Sequence, residues 1–363
     1  MAKVLLLAPS PELAGGIARW TMHILSYYSS HKGDCELEFL NTSQSKYSLN
    51  RTGFNRLSSG IRNYLNVIKD FKSRIKIKQY DVIHITTSAS LSLLKDLILI
   101  NIAHKNDIQA IIHFRFGRIP DLSKNNNWEW ILLKKVVANC DNAITIDMKS
   151  YETLVKYGFK NIINIPNPLS QDIIQAIDLN KNITRQPRLL VFVGQMLRTK
   201  GIYELVEVCS TISDIQLHMY GTLPSGVKEN IQSLVGYESD KWLHICGEIP
   251  YEIIVKKMLE ANIFVLPTYT EGFPNVILES MACGCPIIAS SVGAIPEMLN
   301  IGNNEPCGIG IDPKNKVQLK TAIEYLLNNP IIATELGDRA KRRVVEEYKI
   351  DSVWKKMISV WNN

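Results

Sequence analysis

The feature that most limits the fold is an alternation that runs through the chain twice. Short, mostly apolar stretches, KVLLLA, ELEFL, DVIHIT, AIIHF and AITID, are separated by longer segments with helical spacing such as ARWTMHILSYYSS and WEWILLKKVVANC. After position 187 the same pattern restarts with RLLVFVG, IQLHMYG, WLHIC, NIFVLP and PIIAS. A strand that is apolar along its whole length is buried on both faces, and strands that alternate with helices join as βαβ units of a parallel sheet. The expectation is an α/β protein of two doubly wound, Rossmann-like domains. Ligands of such sheets bind beyond the carboxyl ends of the strands, so the cleft between the two domains is the expected site.

With 363 residues the chain has room for two cores. The break is expected at IPNPLS, where Pro166 and Pro168 bracket Asn167 and stop the preceding strand. This gives domains over 1–168 and 169–348, with QDIIQAIDLNKNITRQPR as a polar link and a terminal helix over 349–363 from DSVWKKMISVW. The apolar run LSLLKDLILINIA carries Lys95 and Asp96 and suits a buried helix, not a membrane span. MAKVLLLAPSP reads as a first strand in preference to a signal peptide. Seven cysteines, odd in number and without Cys-x-x-Cys pairs, point to a reduced, cytoplasmic compartment, with Cys283 and Cys285 as small core residues.

The net charge of +6 is uneven: residues 1–170 hold 22 Lys and Arg against 13 Asp and Glu, and the remainder 19 against 22. Much of the excess lies in basic residues 56–78, where Ile61, Leu65, Ile68, Phe71 and Ile75 recur at helical spacing beside Arg62, Lys69, Lys72 and Lys76. Two readings stand: a core-packed helix with a solvated basic face, and a helix that docks on an anionic membrane surface. No nucleic-acid partner is expected. A dehydrogenase is set aside, because only the Gly15-Gly16 pair, not G-x-G-x-x-G, follows the first strand, and no P-loop lysine motif occurs.

The densest information lies in TEGFPNVILESMACGCPIIAS, residues 270–290. A buried strand ends at Pro267, Glu271 follows at its carboxyl end, Gly272 permits a sharp turn, and Pro274 suits a helix start continued by VILESMA. Free backbone N–H groups around Phe273, Asn275 and Val276 make a ready anion site. A carboxylate beside an anion site suits a ligand that carries both a diphosphate and sugar hydroxyls. Glu279 lies about two turns along the helix.

This segment resembles the E-x₇-E signature of the retaining glycosyltransferases of family 4, which have the GT-B fold; the resemblance extends over nearly the whole chain. It implies that Glu271 holds the donor sugar's hydroxyls and Glu279 the nucleotide ribose. VFVGQMLRTKGIYEL resembles the family's donor-phosphate loop: Gly194, Lys200 and Gly201 match, while Gln195 stands where an arginine is usual and Arg198 carries the nearest positive charge. Lys200 is the residue expected to stabilise the leaving diphosphate. AIIHFRFGR puts His113 at a strand end, where the family has a histidine near the reacting sugar, with Arg115 and Arg118 as acceptor contacts. Gly15 and Gly16 match the family's Gly-Gly loop, and CGEIPYEII resembles the segment that frames the nucleotide base through Gly247 and Ile249. In the family the terminal helix crosses back onto the first domain.

The resemblance implies retaining, hexosyltransferase-type transfer from a nucleoside-diphosphate-sugar, the nucleotide-sugar donor, to a hydroxyl of a glycan or lipid-linked acceptor in bacterial surface-polysaccharide biosynthesis (lipopolysaccharide O-antigen or capsule). No cofactor and no metal are expected, and no Asp-x-Asp motif with metal-ligand placement is present. The rival readings are a phosphorylase or epimerase on the same plan, whose catalytic acids or cofactor lysine are not found, and a catalytically silent nucleotide-sugar-binding partner of another transferase, to which Gln195 gives some footing. The protein is expected at the inner face of the cytoplasmic membrane or free in the cytoplasm.

Overall fold

The structure, a computed structural model, describes residues 1–13, 15–43 and 53–362. The chain divides into two compact units, residues 1–168 with 350–363, and residues 169–349. The first unit runs β1 (Lys3–Ala8), α1 (Gly16–Ser30), β2 (Glu36–Asn41), α2 (Gly53–Ile77), β3 (Val82–Thr87), α3 (Ser92–His104), β4 (Gln109–Phe114), α4 (Ile119–Asn125), α5 (Trp128–Asn139), β5 (Asn142–Thr145), α6 (Met148–Lys156) and β6 (Ile162–Asn164). The second runs α7 (Gln171–Leu179), β7 (Leu189–Val193), α8 (Ile202–Cys209), β8 (Gln216–Tyr220), α9 (Val227–Val235), β9 (Leu243–Gly247), α10 (Tyr251–Glu260), β10 (Ile263–Leu266), α11 (Asn275–Ala282), β11 (Ile287–Ser290), α12 (Ile295–Met298), β12 (Ile309–Ile311), α13 (Lys316–Asn328) and α14 (Pro330–Glu347). The last helix, α15 (Ile350–Trp361), belongs to the first unit.

Each unit holds one six-stranded parallel sheet, ordered β2-β1-β3-β4-β5-β6 and β12-β11-β10-β7-β8-β9. The α/β, doubly wound architecture expected from the alternation is what the chain adopts. The strand expected before Pro166 is β6; the strand not foreseen is β12, three residues long and paired on one side only, so it does not need the continuous apolar run that marks a central strand. The expected polar link also contains a helix, α7. Its Ile173 and Ile177, four apart, are buried, so the segment belongs to the second unit's fold.

Strand alternation sorts the first unit's core into two layers. Leu5, Leu7, Ile83, Ile85, Ala110 and Ile112 face one cluster, which Phe71 of α2 and Trp130 of α5 complete. Val4, Leu6, Val82, Ile111 and Ile144 face another, closed by Trp20 of α1 and by Val353, Trp354, Met357 and Trp361 of α15. Buried α15 residues at 350, 353, 354, 357, 360 and 361 follow the helical period, which is why this terminal helix covers a sheet. Cutting a fully buried tryptophan such as Trp361 back to alanine costs about 3–5 kcal/mol.

The helix over the basic segment has its apolar stripe only partly covered. Phe71 is buried and Ile68 and Ile75 pack against the core, but Ile61 and Leu65 are 53% and 62% exposed. The stripe expected to face the core therefore turns to the surface at its N-terminal half. The Arg56 side chain lies outside the described residues. Among the described residues no helix is long and apolar enough to cross a membrane.

Candidate functional site

In the second unit the site is assembled from loops that leave the carboxyl ends of β7, β8, β9 and β10. After β7 the Gly194 N–H donates to the Tyr220 carbonyl and the Met196 N–H to the Thr222 carbonyl, both at 2.9 Å. The Gly221 N–H donates in turn to the Gly247 carbonyl at 2.8 Å, so the expected residues Gly194 and Gly247 lie on one stitched edge. Ile249, two residues on, is half-buried.

The chain then makes a short 3₁₀ turn at Arg198–Lys200. Gly201 takes a left-handed φ of +70°, and a Cβ there would stand 2.0 Å from the Pro267 carbonyl oxygen. Only glycine meets both demands, and they hold the turn against the exit of β10. The Thr199 carbonyl accepts from the Tyr269 N–H at 2.8 Å and from Thr268 Oγ1 at 3.2 Å. These bonds bring Lys200 Nζ to 2.5 Å from Glu271 Oε1. Glu271 is fixed from behind by Gly293, where φ is +56° and a Cβ would meet the Glu271 carbonyl at 2.3 Å, and by Ala294, whose N–H donates to the Gly272 carbonyl at 2.9 Å.

The side chains of Lys200 and Glu271 are 24% and 13% exposed. That lies between a surface pair, worth under about 1 kcal/mol, and a dry pair whose separation is very costly. A ligand with its own charge and hydroxyls is able to open it. Immediately beyond, α11 begins at Asn275 with Pro274 as its N-cap, which has no side-chain group to cap the positive end of the helix. Phe273 is buried, and its ring meets Tyr348 edge-on at 5.8 Å. Val276 is half-buried, and Glu279 is buried at 3% exposure, so it is not an exposed helix acid. Arg198 is exposed, with its guanidinium 5.9 Å from the Tyr203 ring. It also acts on Tyr269, whose hydroxyl donates to Glu204 at 2.6 Å and is pushed up to about 12 by burial and by Glu204, against the pull of Arg198. Gln195 is exposed.

The first unit holds the other expected residues. Gly15 is the N-cap of α1 and Gly16 its first residue; no heavy atom lies within 4 Å of where a Cβ would stand at either. His113 is fully buried, flanked by His84, by Trp20 edge-on at 5.2 Å and by Arg115. The Arg115 guanidinium lies 4.5 Å over the Trp20 ring and donates through Nη2 to Asn167 Oδ1 at 2.5 Å. Arg118 is committed to a carboxylate, with Nη1 and Nη2 3.0 and 2.6 Å from the two oxygens of Glu129. An anionic ligand would have to compete with that bidentate pair.

Sequence reasoning did not single out Thr199, Gly293, His84 or Trp361. The first two act through backbone geometry, which residue type alone does not announce. His84 did carry a signal: in DVIHIT it shares a face with Val82 and Thr86, toward the layer that holds His113.

Residues 173–343, nearly all of the second unit, match the family model of the glycosyl transferases group 1. An uncharacterized glycosyltransferase of Haemophilus influenzae is 25% identical over 321 residues, 85% of this chain and 84% of that protein. The putative teichuronic acid biosynthesis glycosyltransferase TuaC of Bacillus subtilis is 29% identical over 243 residues, 65% of this chain and 56% of TuaC. The sucrose-phosphate synthase of Thermosynechococcus elongatus superposes with a TM-score of 0.77 at 19% identity, covering 100% of this chain and 98% of that one, a likeness of fold. The chain thus has the GT-B fold, and nearly all of its second unit is similar to the glycosyl transferases group 1.

Proposed function

We propose that the chain is a retaining glycosyltransferase of family 4 that uses a nucleoside-diphosphate-sugar and needs no metal. The observation that carries the reading is the half-buried Lys200–Glu271 pair just before the start of α11. A donor substrate replaces that one contact with two sets. Its diphosphate takes Lys200 and the first amides of α11, with Arg198 as a further charge, while its sugar hydroxyls take Glu271. Glu279 takes the ribose, and the Gly194 and Gly247 edge frames phosphate and base. As the sugar–phosphate bond breaks, Lys200 stabilises the charge that develops on the leaving oxygen. That oxygen accepts the proton of the acceptor hydroxyl, and the new bond forms on the face that the phosphate leaves.

The acceptor in this reading is a lipid-linked or growing glycan of a surface polysaccharide, supported by the similarity to TuaC, a putative teichuronic acid biosynthesis glycosyltransferase. The exposed Ile61 and Leu65 beside Lys69, Lys72 and Lys76 support peripheral docking on an anionic membrane.

The test is calorimetric titration of nucleoside diphosphates and their sugars, with and without chelator, on the wild type and Glu271→Ala. Metal-independent binding that Glu271→Ala weakens for the sugar form and not for the bare diphosphate is expected. Product NMR with the cognate pair is expected to show a retained anomer. An inverted anomer overturns the mechanism, and binding without turnover across acceptors favours the silent-partner reading.

A further inference from the structure

His84 and His113 occupy neighbouring strands of the first sheet, on the face that α1 and α15 cover, and neither exposes any surface. In the ladder His84 pairs with Ile111 and His113 with Thr86, which makes the two rings diagonal neighbours. Four side chains form a line of polar contacts. Trp361 Nε1 lies 3.0 Å from His84 Nδ1, His84 Nε2 lies 3.1 Å from His113 Nδ1, and His113 Nε2 lies 3.0 Å from Arg115 Nη1.

The protons of this line can be counted. An indole and a guanidinium only donate, and a neutral imidazole carries one N–H and one lone pair. Burial, with the Arg115 charge, pushes His84 down to about 3 and His113 well below the ordinary imidazole value, so both rings are neutral near pH 7. Three contacts need three protons, and the four groups can each direct one into the line, which makes four. The Trp361 N–H takes the lone pair on His84 Nδ1, which leaves that ring's proton on Nε2. This proton takes the lone pair on His113 Nδ1, which leaves the second ring's proton on Nε2. With the Trp361 contact made, the surplus falls at the last contact, where two N–H groups face each other; the mirror assignment would put it at the Trp361–His84 contact instead. Arg115 is the member able to yield there, since it keeps Asn167 and Trp20, and its buried Nε has no hydrogen-bond partner among the described residues.

We propose that Trp361 and His84 are positioning residues that hold His113 in its Nε2–H tautomer, so that His113 meets a substrate oxygen as a hydrogen-bond donor and never as a base. The proposal deepens the glycosyltransferase reading and rests on it for the role of His113. It agrees with a reaction in which the departing phosphate, not a side chain, takes the acceptor proton. A substrate oxygen that enters between His113 and Arg115 exchanges a donor–donor contact for two hydrogen bonds.

The experiment is long-range proton–nitrogen NMR of the full chain labelled with ¹⁵N histidine, with His84→Gln and His113→Gln used for assignment. A bare Nδ1 and a protonated Nε2 give distinct nitrogen shifts, and both rings are expected to show that pattern in the wild type. Trp361→Phe removes the first donor, so both rings are expected to switch to the Nδ1–H form, with His113 Nε2 then accepting from Arg115. Trp354→Phe, on the same helix, controls for lost packing and is expected to leave the tautomers unchanged. So is Arg115→Met, which removes the competing donor. In transfer assays Trp361→Phe is expected to lower kcat about tenfold with KM for the donor unchanged, the loss of one hydrogen bond in the transition state. An Nδ1–H ring in the wild type, or no switch in Trp361→Phe, overturns the relay. A switch without any loss of kcat overturns the positioning role. The nitrogen shifts report on the relay whether or not transfer is found, so its failure is distinct from failure of the glycosyltransferase reading.

Discussion

The two units treat polar chemistry in opposite ways. The first sheet takes its notable polar side chains inside the layers: His84 and His113 are wholly buried and His23 nearly so, and burial holds all three neutral near pH 7. In the second sheet the strands β7 and β10 are apolar, and the Lys200–Glu271 pair sits on loops beyond their ends, half-buried. A dry neutral network holds a geometry and resists exchange, because each lost partner leaves an unsatisfied group. A half-wet ion pair opens at modest cost. In the proposed reading the second unit trades partners with a charged ligand, and the first holds His113 in a fixed orientation.

The sharpest way to break that contrast is to remove the charge from the loop. Lys200→Ala is expected to lower kcat about 10³-fold, the scale seen when one donor to a developing oxyanion is lost. Unfolding free energy should change by no more than about 1 kcal/mol, because the pair is partly solvated. A variant that lost stability and kept its rate would place Lys200 in the framework instead.

These two residues also show how far the sequence carried. The alternating apolar runs gave the doubly wound class, and the Glu-Gly-Phe-Pro-Asn turn pointed to Glu271, because strand ends and helix starts leave local marks in residue type. What stayed hidden was how Lys200 reaches Glu271. That approach depends on a left-handed Gly201 pressed on Pro267 and on the Thr199 carbonyl, which are long-range backbone contacts with no side-chain signature. The edge strand β12 was missed for a related reason: three residues paired on one side carry too little pattern. The His84–Trp361 contact joins positions 277 apart in the chain, and no local window holds both.

Acid is expected to separate the two units next. An imidazole held neutral by burial has a folded pKa below its unfolded value. Below about 6.5 the unfolded chain then binds more protons, and stability falls as pH drops toward the folded value. For His84, shifted to about 3, the loss is about 1.4 kcal/mol per pH unit, roughly tenfold in the folding equilibrium. Hydrogen exchange read strand by strand between pH 7 and 5 should show β3 and β4 opening more readily as pH falls, with a weaker trend in β7 and β10. His84→Gln should shallow the slope in the first unit only. Equal slopes in the two units would end the contrast.

The smallest effect concerns Gln195, which stands where the resembled loop usually has an arginine. Gln195 is exposed and uncharged, while Arg198 lies three residues on with its guanidinium near Tyr203 and Tyr269. A charge that must leave an aromatic neighbour to meet a phosphate gives up part of what it gains, so Arg198 should contribute less than Lys200. Arg198→Met is expected to weaken nucleoside-diphosphate affinity about fivefold, on the scale of an exposed ion pair. Adding Gln195→Arg should restore it, and both effects should shrink at high salt, since exposed charges are screened. If the second change restores nothing, Arg198 is not standing in for an arginine at 195, and the diphosphate is held by Lys200 and the start of α11 without help from either position.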